Sequence, residues 1–100
     1  MSEFLFSYGT LQDPRIQEEI IGRTLLGESD VLENFGVSDT LLEGLYLVGE
    51  RKIGHHLVGI VSPIVSEDLI PLDIYEGDAY KRVKVSLQSS KKAWVYIGKK

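Results

Sequence analysis

A chain of 100 residues with no cysteine must hold its fold with an apolar core alone, since no disulfide or thiolate metal site can staple it. The same absence removes a cysteine nucleophile. A domain of this length buries roughly 60–65% of the surface its unfolded chain exposes, so one core is feasible and a second is not. Residues 1–100 are therefore expected to form a single domain. The 43% apolar and 26% charged content is what such a soluble domain needs.

Charge and hydropathy narrow the partners. The net charge is −4, and lysines cluster only at Lys91-Lys92 and Lys99-Lys100, too few and too scattered for a nucleic-acid groove. The most apolar stretch, Leu57 to Val65, is short and contains Gly59, Ser62 and Pro63, which argues against a membrane span. Met1-Ser2-Glu3 opens the chain without the positive and apolar regions of a signal peptide. The expectation is a cytoplasmic protein that binds neither nucleic acid nor membrane. Oligomeric state stays open.

Glycine and proline cut the chain into short elements. Phe4-Leu5-Phe6 reads as a strand, ended by the turn-permissive Tyr8-Gly9-Thr10. Asp13-Pro14 reads as an N-cap followed by proline at the first helical position, with Ile16, Ile20 and Ile21 on one face and Gly22 as the stop. Thr24 to Ser38 is irregular and is expected to be loop with some extended structure. Thr40 to Val48, carrying Tyr46, is a strand candidate; Gly49 to Gly54 is a polar turn; Leu57 to Val61 is another strand. Gly59 inside that strand implies a bulge or a close backbone approach.

Pro71 sets the register of the second helix. A proline deep in a helix loses a hydrogen bond and clashes with the preceding turn, whereas capping at Asp68 leaves it three positions in, where little is lost. A short helix from Leu69 to Tyr75, stopped near Gly77, follows. Lys81 to Leu87 places Val83, Val85 and Leu87 on one face, Ser89-Ser90 turns, and Ala93 to Ile97 returns as a hairpin. Strands at both ends with helices between indicate an α+β fold with a small mixed, barrel-like β-sheet and two short helices.

Two segments carry the chemistry. Phe6-Ser7-Tyr8-Gly9-Thr10-Leu11 and Leu72-Asp73-Ile74-Tyr75-Glu76-Gly77-Asp78-Ala79-Tyr80-Lys81-Arg82-Val83 together resemble the gamma-glutamylcyclotransferase-like family. Its members pair a Tyr-Gly-Ser/Thr loop after the first strand with a Leu-Asp-x-x-Glu-Gly helix end, and the similarity continues through Ala93-Trp94-Val95-Tyr96. The Thr10-Leu11 ending resembles the branch that includes γ-glutamylamine cyclotransferases. The resemblance implies an enzyme that releases 5-oxoproline from a γ-glutamyl amine or γ-glutamyl amino acid. It implies Glu76 as general base and then acid, Tyr8, Gly9, Thr10 and Leu11 as the substrate-binding loop, and Tyr80 as a pocket residue. It also implies that a chain ending at Lys100 lacks the C-terminal extension that closes the pocket in larger relatives, and that the pocket is shallower.

These residue types suit that reaction. A substrate α-ammonium (pKa roughly 7.7–8 or above) must lose a proton before its nitrogen attacks, and the departing amine must gain one. One carboxyl can do both if burial raises its pKa. Ring closure is intramolecular, so orientation supplies much of the rate and neither cofactor nor metal is needed. Asp73 is a rival carboxylate and is read as supporting local structure; Arg82 is read as a structural ion-pair partner rather than a ligand contact, and Trp94 and Tyr96 as core or pocket wall. Adjacent His55 and His56 on a strand point to opposite faces and chelate poorly, so no metal site is assigned. The competing reading is a small-molecule or peptide binding module that keeps the fold and pocket without turnover.

Overall fold

The computed structural model describes residues 2–38 and 48–98. Strands β1 (Ser2–Ser7), β2 (Glu28–Val37), β3 (Gly49–Val65), β4 (Tyr80–Ser86) and β5 (Lys92–Gly98) form one sheet in the order β2-β3-β1-β5-β4. Helix α1 (Pro14–Ile21) follows β1, and α2 (Leu69–Glu76) joins β3 to β4. β1 runs antiparallel to β3 and parallel to β5, so the sheet is mixed and β1 lies at its centre. No helix among the described residues is long and apolar enough to cross a membrane.

Alternation along β1 divides the core in two. Leu5 and Phe6 are each about 1% exposed and face opposite sides. Phe6 joins Leu32, Phe35, Leu57, Val61, Leu87, Val95 and Ile97 in a cluster built without any helix residue, as expected where a sheet curls onto its own face. Leu5 joins Leu11, Ile64, Leu69, Leu72 and Tyr96 under the two helices, with Ile16, Ile20 and Ile21 of α1 packed against them. The curl is closed by hydrogen bonds between the sheet's two outer ends. In the β4–β5 turn, the Gln88 N–H donates to the Val31 carbonyl at 2.8 Å and the Ser89 hydroxyl donates to the Asp30 carboxylate, both acceptors lying on β2. Burial pushes the Asp30 carboxyl up, but its hydrogen bonds from Ser89 and Val31 outweigh that and keep it below its usual range. The barrel-like α+β reading holds.

Local signals account for both helices. The Asp13 side chain accepts from the Arg15 N–H at 2.9 Å, Pro14 opens α1, and Gly22 closes it at φ 78°. Pro71 is the third residue of α2, preceded by a single 3-10 turn at Ser66–Asp68. Asp68 does not cap the helix with its side chain; it accepts from the Val65 N–H at 2.9 Å and pairs with Arg23, tying the start of α2 to the end of α1. Gly59 marks a close approach, because a Cβ there would lie 2.3 Å from the Ser7 carbonyl oxygen.

Two expectations are corrected. Residues 28–37, read as irregular, form the whole of β2. Its alternation is broken by a bulge: pairing steps from Glu33↔His56 to Phe35↔Arg51, with Asn34 at φ 64°. The extra turn returns Phe35 to the core side already used by Leu32, so a period-2 pattern never shows. The polar segment 49–54 is not a free turn but the beginning of β3, bent at Gly54 (φ 86°), whose N–H donates to Asn34 Oδ1 at 3.2 Å. The strand expected over Thr40–Val48, with Tyr46, lies outside the described residues except for Val48.

Replacing Asp68 with Ala leaves Arg23 and the Val65 N–H without their shared acceptor and is expected to cost about 2–3 kcal/mol by urea denaturation at neutral pH. The Arg23 hydrogen bonds hold the Asp68 carboxyl below its ordinary 3.8, so this stability is present above pH 3.8 and is lost as pH falls through the lower folded value. The difference between parent and variant should accordingly narrow in acid.

Candidate active site

The inward face of α2 is a stripe at helical spacing, and its last member is a carboxylate. Leu69 and Leu72 are buried; Glu76, seven residues after Leu69, continues their line at the final helical position. The opposite face carries exposed Ile70 and Ile74. Glu76 is therefore half-buried where an apolar side chain would ordinarily stand. Gly77 ends the helix at φ 75° and donates its N–H to the Asp73 carbonyl at 3.0 Å.

The glycine loop leaves β1 and tightens at once into a 3-10 turn over Thr10–Gln12, closed by Gln12 N–H to Gly9 C=O (3.1 Å) and Asp13 N–H to Thr10 C=O (3.0 Å). As at any helix start, the first N–H groups have no partner within the turn. Those of Gly9, Thr10 and Leu11 have no acceptor among the described residues. Beneath, the buried Leu11 side chain packs with Leu69 and Leu72, and the Gln17 side chain donates to the Leu11 carbonyl at 2.8 Å while accepting from the Leu25 N–H at 2.8 Å. Gly9 has φ −133°, and a Cβ there would meet nothing within 4 Å, so the chain's own packing does not demand glycine. The missing side chain leaves open the approach to those N–H groups.

Loop and helix end meet, although 65 positions separate Thr10 from Tyr75. Their hydroxyls lie 2.9 Å apart. Two residues back in the loop, the Tyr8 hydroxyl lies near enough to Glu76 for that carboxylate's charge to help raise it. Tyr80 packs against the cluster that holds Leu11, Leu69 and Leu72. Tyr8 donates to the Tyr96 carbonyl at 2.7 Å and accepts from the Gly49 N–H at 2.7 Å, with its ring seated against Gly49, where a Cβ would lie 2.7 Å from the hydroxyl. Burial raises the Tyr8 hydroxyl far above the usual phenol range, so it stays neutral and acts as a wall.

The two carboxylates of α2 are driven apart. Burial alone pushes Glu76 up to about 7, and no hydrogen-bond donor or cation among the described residues offsets it. Burial pushes Asp73 up as well, but the Arg82 guanidinium (Nε to Oδ1, 2.8 Å) and the Tyr96 hydroxyl (2.6 Å) outweigh it and hold Asp73 below the usual carboxylate range. Arg82 in turn stacks on Trp94, 4.4 Å from the ring centroid. A committed anion and a carboxyl poised near neutrality, three residues apart, are the pattern expected of an acid/base site.

The family comparison accords with this arrangement. A model of the family "Gamma-glutamyl cyclotransferase, AIG2-like" matches residues 5–100. This chain belongs to that family. Its fold is shared by two Arabidopsis thaliana proteins solved in solution, each 26% identical, with TM-scores of 0.83 and 0.82; 98% and 97% of this chain is covered, against 62% and 68% of theirs. A protein described as a gamma-glutamyl cyclotransferase, 18% identical, superposes with a TM-score of 0.75 over 99% of this chain and 68% of its own, a likeness of fold. The chain thus spans about three-fifths of the length of the first of these relatives. No curated protein matches it significantly.

For this gamma-glutamyl cyclotransferase family member, the structure brings Glu76, Tyr8, Gly9, Thr10, Leu11 and Tyr80 into one region. It places Tyr96, read as core or pocket wall, against Asp73 and Tyr8, and adds Tyr75 and Gly49, which the sequence did not single out as site residues; nothing in local spacing reveals that Tyr75 meets Thr10 or that Gly49 of β3 meets Tyr8. Arg82, read as a structural ion-pair partner, finds its mate in Asp73. His55 and His56 are exposed on β3, and no group of three His, Asp or Glu among the described residues is placed to hold a metal.

Because the folded-state pKa of Glu76 lies above its ordinary 4.5, the stability it contributes is complete below pH 4.5 and is lost as pH rises through about 7. Glu76→Gln removes that penalty. The variant is expected to match the parent below pH 4.5 and to exceed it by about 1–2 kcal/mol, allowing for solvent screening, at about pH 8 in thermal or urea unfolding.

Proposed function

We propose that this protein is a cyclotransferase that releases 5-oxoproline from a γ-glutamyl amine or γ-glutamyl amino acid, with Glu76 as the acid/base. The observation that carries this reading is the half-buried Glu76 carboxyl, poised at about 7 beside a loop whose Gly9, Thr10 and Leu11 N–H groups, like the carboxyl itself, have no partner among the described residues. Ionised Glu76 takes a proton from the substrate α-ammonium. The freed nitrogen attacks the γ-carbonyl carbon of the same molecule, and the loop N–H groups receive the negative charge that develops on oxygen. Protonated Glu76 gives its proton to the departing nitrogen as the old C–N bond breaks, the carboxylate so restored takes the surplus proton from the ring nitrogen, and 5-oxoproline and the amine leave, the last proton passing to water. Tyr8 and Tyr80 wall the carboxyl, keeping it dry enough to exchange a proton near neutral pH.

Aspartate at position 73 is a poor alternative because Arg82 and Tyr96 already occupy its oxygens. The family membership supports the reaction type.

A panel of γ-glutamyl amines and γ-glutamyl amino acids, followed by 5-oxoproline release, tests the proposal. Glu76→Gln is expected to lower kcat by at least about 10²–10³ while substrate affinity, measured by calorimetry, changes little, since shape is retained and proton transfer is lost. The parent's kcat/KM should climb from acid to neutral pH with a midpoint near 7, the ionisation of free Glu76. Binding without 5-oxoproline release in the parent would replace this reading with that of a non-catalytic binding module.

A further inference from the structure

We propose that Tyr75 is a positioning residue: through its hydroxyl contact with Thr10 it pins the Tyr8–Leu11 loop to the end of α2 and holds the loop's N–H groups in register with Glu76. This rests on reading the site as a cyclotransferase centre, and it adds a residue that acts on the reaction only through another. Three observations carry it. The Thr10 and Tyr75 hydroxyls, 2.9 Å apart, form the one side-chain hydrogen bond that joins the loop to α2 among the described residues. Glu76 follows Tyr75 directly and lies near enough for its charge to help raise the Tyr8 hydroxyl, so the end of α2 faces the loop on both sides of Gly9. Among the described residues the loop's other long-range hydrogen bonds run from Tyr8 to β5 and β3 and from Leu11 to α1, while beneath it the Leu11 side chain packs with Leu69 and Leu72, which fixes the loop's base and leaves its outer edge to the Thr10–Tyr75 bond.

Where Tyr75 stands makes the contact sensitive. It lies on the last turn of α2, is 37% exposed, and is followed by Glu76 and the helix-ending Gly77. Thr10 is exposed too, so water competes for both hydroxyls. A bond of that kind is net favourable by only a small factor, roughly two- to tenfold in population. It therefore biases the loop rather than building the fold, and its loss moves the loop N–H groups without unfolding the domain. The productive geometry of donors around a developing oxyanion tolerates little displacement.

The test is a mutant cycle read two ways. Tyr75→Phe and Thr10→Val each delete one hydroxyl and keep the shape, Thr10→Ser keeps the hydroxyl, and the double variant removes both. With a substrate found in the panel, Tyr75→Phe and Thr10→Val should each lower kcat/KM about three- to tenfold. The double variant should be no worse than the poorer single. Independently of activity, amide hydrogen exchange at Gln12 and Asp13, whose N–H groups close the 3-10 turn on Gly9 and Thr10, should quicken about two- to tenfold in Tyr75→Phe and Thr10→Val but not in Thr10→Ser, while that of β1 and β5 is unchanged. Multiplicative losses in the double variant, or unaltered exchange at Gln12 and Asp13 in Tyr75→Phe, overturn the proposal. A parent without 5-oxoproline release but with faster loop exchange in Tyr75→Phe sinks the cyclotransferase reading and leaves the clasp standing.

Discussion

Everything at the site depends on a carboxyl occupying an apolar position. Glu76 extends the buried line of Leu69 and Leu72 at the point where α2 runs out, so packing of the helix against β1 and β5 carries the carboxyl inward with it. The penalty for removing its charge from water falls on the ionised form, and no cation among the described residues relieves it. The helix C-terminus, with its partial negative charge, works in the same direction. A conventional amphipathic helix would place a leucine there and leave Glu76 in solvent. Here the exposed face carries Ile70 and Ile74 instead, the inverse of that pattern.

Asp73 shows what the environment does to the same functional group three residues away. It is also drawn partly out of water, yet Arg82 and Tyr96 supply charge and hydrogen bonds that fix it as an anion. Through Tyr96, the anion is coupled to the strand whose carbonyl receives the Tyr8 hydroxyl. Trp94 backs the arrangement: Arg82 and Lys84 lie over its ring, at 4.4 and 5.0 Å from the centroid, and its indole N–H donates to Glu3. One carboxylate thus organises the wall, and the other, with no charge partner among the described residues, is raised to about 7 by burial.

The parts of the fold that read directly from the residues are those whose cause is local. Asp13-Pro14 and Gly22 bound α1, Pro71 and Gly77 bound α2 to within a residue, and Val83, Val85 and the Ser89-Ser90 turn mark the hairpin. β2 was hidden because Asn34 inserts a bulge, so Leu32 and Phe35 fall on one side at a spacing that neither helix nor regular strand produces. The start of β3 was hidden because its residues are polar and exposed, and only pairing with Val37, Gly36 and Phe35 makes them a strand. Asp68 was expected as a cap from its place before Leu69; its carboxylate is instead claimed by Arg23, forty-five residues earlier.

The sequence by itself determined the family, the class of fold, the two motif segments and the placement of Glu76 at a helix end, since each is written in short-range chemistry: a proline's missing donor, a glycine's positive φ, an alternation of size. Tertiary structure alone decided that Glu76 is dry while Asp73 is ionised, that Tyr75 reaches Thr10, and that Tyr8 is locked between Tyr96 and Gly49. Desolvation and partner choice are properties of what surrounds a side chain. Those surroundings come from strands and loops far away in the chain, where no local pattern can record them.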